Sequence, residues 1–247
     1  LQKLKLKVQD IEQITSDVKK FEFSAAEGDE IPAFSAGAHV NFHLKDGLIR
    51  SYSLANNPNE KGRYVTAILR ESEGQGGSKY MHDVVAVGDE LTADGPVNNF
   101  KLVDHASEYI LLGGGIGITP LMAMGYKLTA EGIPCYLHYC TKSREQTPFA
   151  NEVEKIFGNN LSFYHDGGVP ENGIKLDQTF FEIKEGAHLY ICGPAGLLKA
   201  ARQATSHWPS GTIHFELFKS AKAEEYSNSE EVESGGNQSF EVELAKS

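Results

Sequence analysis

Residues 111–120 read LLGGGIGITP: an apolar pair, four glycines within five positions, then Thr119-Pro120. An ordered glycine gives up more chain entropy than any other residue, so this density needs a reason. A buried strand that stops here and restarts at once as a helix offers two. Either the chain makes a tight strand-to-helix turn, or the glycines let backbone N–H groups approach a phosphate at the positive end of the helix. Thr119 suits the cap of that helix, and Pro120 its first turn, where a missing N–H costs nothing. Pro120 interrupts any G-x-G-x-x-G pattern, and no Lys-Ser/Thr follows as in a nucleoside-triphosphate loop. On the motif alone, turn and phosphate both stand.

Downstream of this stretch, apolar strands alternate with helical segments. EYILLGG, IPCYLHYCT, LSFYHD, AHLYICGP and GTIHFELF read as strands; TPLMAMGYKLTAEG, TPFANEVEKIFG and AGLLKAARQATSHW read as helices. That grammar predicts an α/β domain, a doubly wound parallel sheet with helices on both faces. Upstream, KLKLKVQDIEQI, VKKFEFSAA, AHVNFHL, IRSYSLAN and RYVTAILRE are short, often alternating runs parted by Asp46-Gly47, Asn57-Pro58 and Lys61-Gly62. They predict an antiparallel barrel or sandwich, with one short helix in GGSKYMHDVV. The expected organisation is a β domain over 1–103, an α/β domain over 104–220, and a polar, acidic linker in 221–247. The linker ends in FEVELAKS, which alternates like a strand.

Composition narrows the function. The 247 residues carry a net charge of −11, which argues against a nucleic-acid binder or a polybasic membrane-surface protein. Three cysteines without a CxxC spacing give neither a disulfide framework nor a zinc site and fit a reducing, cytoplasmic compartment. No apolar run reaches the ~20 residues of a membrane span.

Four further stretches carry candidate chemistry. In RSYSL, alternation puts Arg50, Tyr52 and Leu54 on one strand face and Ser51 and Ser53 on the other. A cation, a ring and hydroxyls could serve a phosphate-bearing cyclic ligand, or simply line an exposed strand. GQGGSKYMHD sets Gly74, Gly76 and Gly77 before Ser78, either an anion cradle or a bare loop. CGPAGLL places Cys192 at the carboxyl edge of the sheet, where open α/β sheets bind ligands, although a lone cysteine there also reads as core. HFELF lines up His214, Glu216 and Phe218 on one face of the last strand. No Ser-His-Asp order, carboxylate pair or metal spacing stands out.

The order of these motifs is more specific than any one of them. Arg50-Ser51-Tyr52-Ser53, then the glycine-Ser segment, then GGGIGITP, CGP and HFELF resembles the ferredoxin–NADP reductase superfamily over about residues 1–220. Within it the pattern is most similar to the phthalate dioxygenase reductase type, which includes vanillate demethylase reductases. The resemblance implies a β-barrel that binds flavin and an α/β domain that binds a nicotinamide dinucleotide. It also implies single-electron transfer to a plant-type 2Fe-2S domain at the C-terminus and onward to a Rieske oxygenase component.

Carried over, it gives Arg50, Ser51, Tyr52, Ser53 and the strand segment Ala67, Ile68, Leu69 to the flavin, with Ser53 near its reactive edge. Gly76, Gly77 and Ser78 go to the flavin phosphate. The pattern is that of the FMN variant, with FAD possible. The family's usual Arg in the phosphate segment is Gln75 here, one charge fewer. Gly114, Gly115, Gly117 and Thr119 would meet the dinucleotide, Cys192, Gly193 and Pro194 would flank the nicotinamide, and Phe218 would shield the flavin. The catalytic set is then Ser53, Thr119, Cys192 and Phe218.

Hydride transfer requires two positioned rings rather than a protein acid or base, which accounts for the missing triad. The family uses NADH, but TKSRE after the second parallel strand offers no carboxylate for a ribose hydroxyl. Lys142, Ser143 and Arg144 there would suit the 2′-phosphate of NADPH. The C-x₄-C-x₂-C set of a plant-type ferredoxin is not formed by Cys135, Cys140 and Cys192. The sequence given is therefore expected to end at the first strand of that domain and to carry flavin without a cluster. Two rival functions remain from the sequence: a reductase serving a haem or ferric acceptor, and a non-catalytic redox-sensing subunit.

Overall fold

The computed structural model describes residues 2–26 and 30–218. Strands β1 (Lys3–Gln13), β2 (Val18–Ala25), β3 (His39–His43), β4 (Ile49–Ser53), β5 (Tyr64–Leu69) and β6 (Glu90–Val97) form an antiparallel sheet ordered β4-β3-β6-β1-β2-β5. Along β1, Leu4, Leu6 and Val8 are buried while Lys3, Lys5 and Lys7 face water, the period of two of a strand with one wet face. The two outer strands of that order meet again. The Ala55 amide donates to the Val65 carbonyl at 2.8 Å, and Thr66 Oγ1 donates to the Ser53 carbonyl at 2.9 Å. The sheet thus curls into a barrel-like form around Phe21, Phe23, Phe42 and Tyr64.

Strand β6 was not foreseen. ELTADGPV ends in Gly95-Pro96 and holds two acids, which reads as a turn. Yet Leu91 and Ala93 are buried with strict alternation, and the strand sits centrally between β1 and β3. Pro96 is tolerated because it falls at the strand's end, beyond its pairing with β1. The short helix appears as α1 (Gly77–Asp83).

The second half alternates as expected: β7 (Glu108–Gly114), α2 (Ile118–Ala130), β8 (Cys135–Thr141), α3 (Ala150–Phe157), β9 (Leu161–His165), the short α4 (Leu176–Thr179), β10 (Ala187–Gly193), α5 (Ala195–Ala204) and β11 (Ile213–Leu217). All neighbours in the order β11-β10-β7-β8-β9 are parallel. The winding reverses between β7 and β10, the switch point where doubly wound sheets take ligands. Alternate residues divide the core. Leu111, Tyr190 and Cys192 pack with Leu121, Met124, Val153 and Phe157 of α2 and α3. Leu112, Leu189 and Ile191 pack with Phe180, Ala201 and Trp208 on the other face.

The segment joining the two sheets is fastened to Tyr190. Its hydroxyl accepts from the Val103 amide at 2.7 Å and donates to the Lys101 carbonyl at 3.1 Å, and its ring packs against Phe100.

One local expectation fails. Helix α2 begins at Ile118 with Gly117 in the capping position and no side-chain cap. Thr119 is inside the first turn and buried, and its Oγ1 donates back to the Ile116 carbonyl at 3.1 Å. The expected linker and the FEVELAKS strand lie outside the described residues.

Candidate functional site

The two glycine motifs of the parallel half press on each other across the switch point. A Cβ on Gly117 would lie 2.2 Å from the Cys192 carbonyl oxygen, and one on Gly114 2.7 Å from both Pro194 Cδ and Leu197 Cδ2. Gly115 differs: its φ is +52°, and a Cβ there would meet nothing. So GGGIGITP divides its work. Gly114 and Gly117 permit backbone contact with CGP, while Gly115 turns the chain at the edge of a cavity.

That cavity holds about 1150 Å³, room for a dinucleotide-sized ligand. Gly114, Gly115, Gly193, Pro194 and Phe218 line it, together with Leu69 and Glu71 from the end of β5. Of the residues assigned to the dinucleotide, Gly117, Thr119 and Cys192 do not line it. Cys192 is fully buried beneath Gly117.

At the other sheet, Arg50 Nη2 donates to Gln75 Oε1 at 2.7 Å, and a Cβ on Gly77 would strike the Arg50 side chain, 2.6 Å from its Cγ. Gly77 therefore lets the guanidinium lie over the start of α1. Ser78 Oγ accepts from the Glu71 amide at 3.1 Å, which ties this loop to the cavity wall.

Ser51 is exposed and donates to Asn41 Oδ1, whereas Ser53 is buried; the alternation read from RSYSL breaks where β4 ends. Ala67 and Ile68 are also buried, and the Ile68 carbonyl bonds the His82 ring at 2.7 Å.

The Tyr52 hydroxyl is buried without a hydrogen-bond partner, and burial raises its pKa. A buried polar atom left unpaired is costly, and a ligand with a hydrogen-bonding edge would relieve it. The donor set of Arg50, Tyr52, Gly76, Gly77 and Ser78 fits a phosphate-bearing ring compound such as flavin.

Two residues emerge that the sequence did not assign. Glu216 stands opposite Cys192 in the β10–β11 register, and its Oε2, like the Tyr52 hydroxyl, is a buried side-chain atom without a hydrogen-bond partner. Burial pushes its carboxyl up to about 7. Burial likewise holds the Cys192 thiol well above its ordinary value, with the neighbouring Glu216 adding to the effect, so Cys192 is a neutral thiol. The only signal in the sequence was an acid inside an apolar strand, HFELF.

The second is Asp166, just past β9. It lines the cavity beside Lys142, and its Oδ1 accepts from the Gly168 amide at 2.7 Å. The sequence offers no carboxylate at the end of β8; Asp166 stands at the end of the neighbouring strand. Arg144 turns away from the cavity. It pairs with Glu154 at 2.7 Å and lies 5.0 Å from the centre of the Phe163 ring. Ser143 does not line the cavity either; its carbonyl bonds the Thr147 hydroxyl.

Comparison with known proteins agrees with this architecture. Residues 5–102 match the oxidoreductase FAD-binding domain family. The chain is 39% identical over 219 residues to the tert-butanol monooxygenase / tert-amyl alcohol desaturase reductase subunit of Aquincola tertiaricarbonis, covering 88% of this chain and 65% of the relative. It is 39% identical over 217 residues to the phthalate dioxygenase reductase of Burkholderia cepacia, covering 87% of this chain and 67% of the relative. A solved phthalate dioxygenase reductase, described as a modular structure for electron transfer from pyridine nucleotides to 2Fe-2S, superposes with a TM-score of 0.84 at 38% identity. That match covers 89% of this chain and 69% of the other.

Fold and comparisons together place the chain among two-sheet oxidoreductases with a FAD-binding-type domain. The chain belongs to the phthalate dioxygenase reductase type of the ferredoxin–NADP reductase superfamily. It spans about two thirds of the length of these relatives. Among the described residues no helix is long and apolar enough to cross a membrane, and no group of His, Cys, Asp and Glu is arranged to hold a metal ion.

Proposed function

We propose that the chain is an NADH-dependent flavin oxidoreductase with FMN as its flavin, the reductase component of a Rieske-type aromatic oxygenase or demethylase. The observation that carries this reading is the shared cavity. Leu69 and Glu71, beside the Ser78 loop, face the same space as Gly114, Gly193, Pro194 and Phe218. A bound flavin supplies the chemistry of accepting a hydride and releasing its electrons singly.

The protein positions and shields. Arg50 and the Gly76-Gly77-Ser78 turn would hold the flavin phosphate, while Tyr52 would offer its unpaired hydroxyl to the cofactor. Phe218 would shield the flavin, and Gly193-Pro194 with Gly114 and Gly115 would seat the dinucleotide. Asp166 favours NADH, because a carboxylate there hydrogen-bonds ribose hydroxyls and repels a 2′-phosphate. Glu216 Oε2 holds or yields a proton near neutral pH.

A 2Fe-2S centre, in a ferredoxin domain of the same chain or in a separate ferredoxin, would be the acceptor of these electrons. The names of the relatives support an oxygenase as the final partner. Heat release of the cofactor followed by chromatography tests the flavin assignment: FMN supports it, FAD revises it, and no flavin after incubation with either overturns it.

A further inference from the structure

Behind the glycine turn, inside the sheet, lies Tyr139. It pairs with Gly113 in the β7–β8 register, and a Cβ on Gly113 would stand 3.5 Å from its Cδ2. The bare glycine therefore leaves the ring its place beside β7. Tyr139 is fully buried and does not line the cavity. Its hydroxyl nevertheless bonds two residues that do. It reaches the Gly115 carbonyl at 2.9 Å and the Pro148 carbonyl at 3.1 Å.

Each of these carbonyls belongs to a left-handed turn. Gly115 has a φ of +52°, and Phe149, which follows Pro148, has a φ of +57°. A phenylalanine in that region is strained, and such strain persists only where the surroundings hold it. The Phe149 side chain is buried in the core and its carbonyl accepts from the Val153 amide. Tyr139 holds the peptide in front of it. Burial, with Cys140 adding to the effect, keeps the Tyr139 hydroxyl protonated far above its ordinary range. It is thus a donor at every working pH, with one proton for two acceptors.

The Gly115 carbonyl also accepts from the Ile118 amide, so two donors fix the orientation of the Gly115–Ile116 peptide. In a trans peptide the N–H points opposite to the C=O. The Ile116 N–H is therefore turned away from buried Tyr139, on the side where Ile116 borders the cavity. Gly115 itself offers little resistance to rotation, since a Cβ there would meet nothing. A flipped peptide would present its carbonyl oxygen to the cavity and repel an anion.

We propose that Tyr139 is a positioning residue for the dinucleotide: its hydroxyl holds the Gly115–Ile116 peptide with the N–H facing the cavity, where it serves the diphosphate, and holds the Pro148 wall in place with the same proton. Tyr139 acts without touching the ligand, and no proton leaves it. The role in binding rests on the dinucleotide reading of the cavity; the two hydrogen bonds do not.

The test is calorimetry of the full chain as purified with ADP-ribose, which carries the diphosphate without the nicotinamide. Tyr139→Phe keeps the ring and removes the donor. It should weaken ADP-ribose binding about 3- to 10-fold, the scale of one neutral hydrogen bond, and leave the flavin content unchanged. With a dye acceptor, KM for NADH should rise by the same factor at unchanged kcat, the pattern of lost uniform binding. In a second variant, 4-aminophenylalanine placed at position 139 brings two N–H donors, one for each carbonyl. It should bind ADP-ribose as tightly as wild type or more tightly, and it keeps both carbonyls paired should Tyr139→Phe fail to fold. A merely structural tyrosine predicts a lowered melting temperature with ADP-ribose affinity unchanged. That result would overturn the positioning role, as would weaker than wild-type binding in the 4-aminophenylalanine variant. Wild-type protein that binds no ADP-ribose would instead overturn the dinucleotide reading, and the positioning role with it.

Discussion

Gly117 and Cys192 meet with no room for a side chain between them: a Cβ on Gly117 would stand 2.2 Å from the Cys192 carbonyl oxygen. That contact locks the start of α2 to the end of β10 at the switch point. Gly117→Ala must push one of two backbones aside, a cost of about 1–3 kcal/mol for overpacking of this kind. A lowered melting temperature with weakened nucleotide binding is expected; an unchanged melting temperature would contradict the contact.

The Arg50 guanidinium is partly exposed and bonded to Gln75, so the fold does not depend on it. Arg50→Ala should leave the melting temperature of the flavin-free protein within about 0.5 kcal/mol of wild type, as for surface changes. A charge-assisted bond contributes about 1.5–3 kcal/mol, so FMN should dissociate roughly 10- to 100-fold more readily. Flavin content after dialysis reads this directly, and full retention would remove Arg50 from the phosphate site.

Tyr52→Phe separates ligand from fold in another way. Its hydroxyl is buried and unpaired without ligand, so deleting it should leave the flavin-free chain as stable or more stable. Flavin binding should weaken. Denaturation curves with and without FMN check both halves, and a destabilised flavin-free variant would show that the hydroxyl has a structural partner.

Much of this was legible in the sequence. The parallel half announced itself because strands buried on both faces read as unbroken apolar runs, and helices such as Ala195–Ala204 show their own period. β6 did not, because Gly95-Pro96 at its end speaks the language of turns while the buried Leu91 and Ala93 are too few to outweigh it. The glycine motif pointed to the right edge of the sheet but not to its inner division of labour. Whether a glycine faces a ligand or another backbone depends on β10, some 75 residues further on. Asp166 on the cavity wall and Glu216 beside Cys192 escaped for the same reason: each is brought there by a neighbouring strand, and pairing register is not written locally.

Glu216 and His214 give opposite pH signatures. In the fold Glu216 keeps its proton to about pH 7, against 4.5 when unfolded. The folded chain therefore binds more protons in that window, and stability falls as pH rises through it, by up to about 3 kcal/mol. His214 stays neutral in the fold down to about 4, against 6.5 unfolded, so it adds stability as pH rises from about 4 to 6.5; solvent screening of this half-buried ring makes the effect smaller. Glu216→Gln should make stability climb more steeply with pH than in wild type, and His214→Phe less steeply. Urea unfolding at pH 5 and pH 7 checks this; equal offsets from wild type at both pH values would count against it.

Asp166→Ala should erode the preference for NADH over NADPH by about tenfold, the scale of one lost hydrogen bond and one removed repulsion. Steady-state kcat/KM for each nucleotide with a dye acceptor reads the ratio. An unaltered ratio would move nucleotide selection away from this residue.

The most direct test of the central claim, that one cavity brings a flavin and a nicotinamide together, is anaerobic stopped-flow mixing of the FMN-loaded protein with NADH, followed by the visible flavin absorbance. The shared cavity predicts saturable bleaching within the mixing experiment, faster with NADH than with NADPH. Protein that binds FMN yet keeps its absorbance under saturating NADH would contradict it.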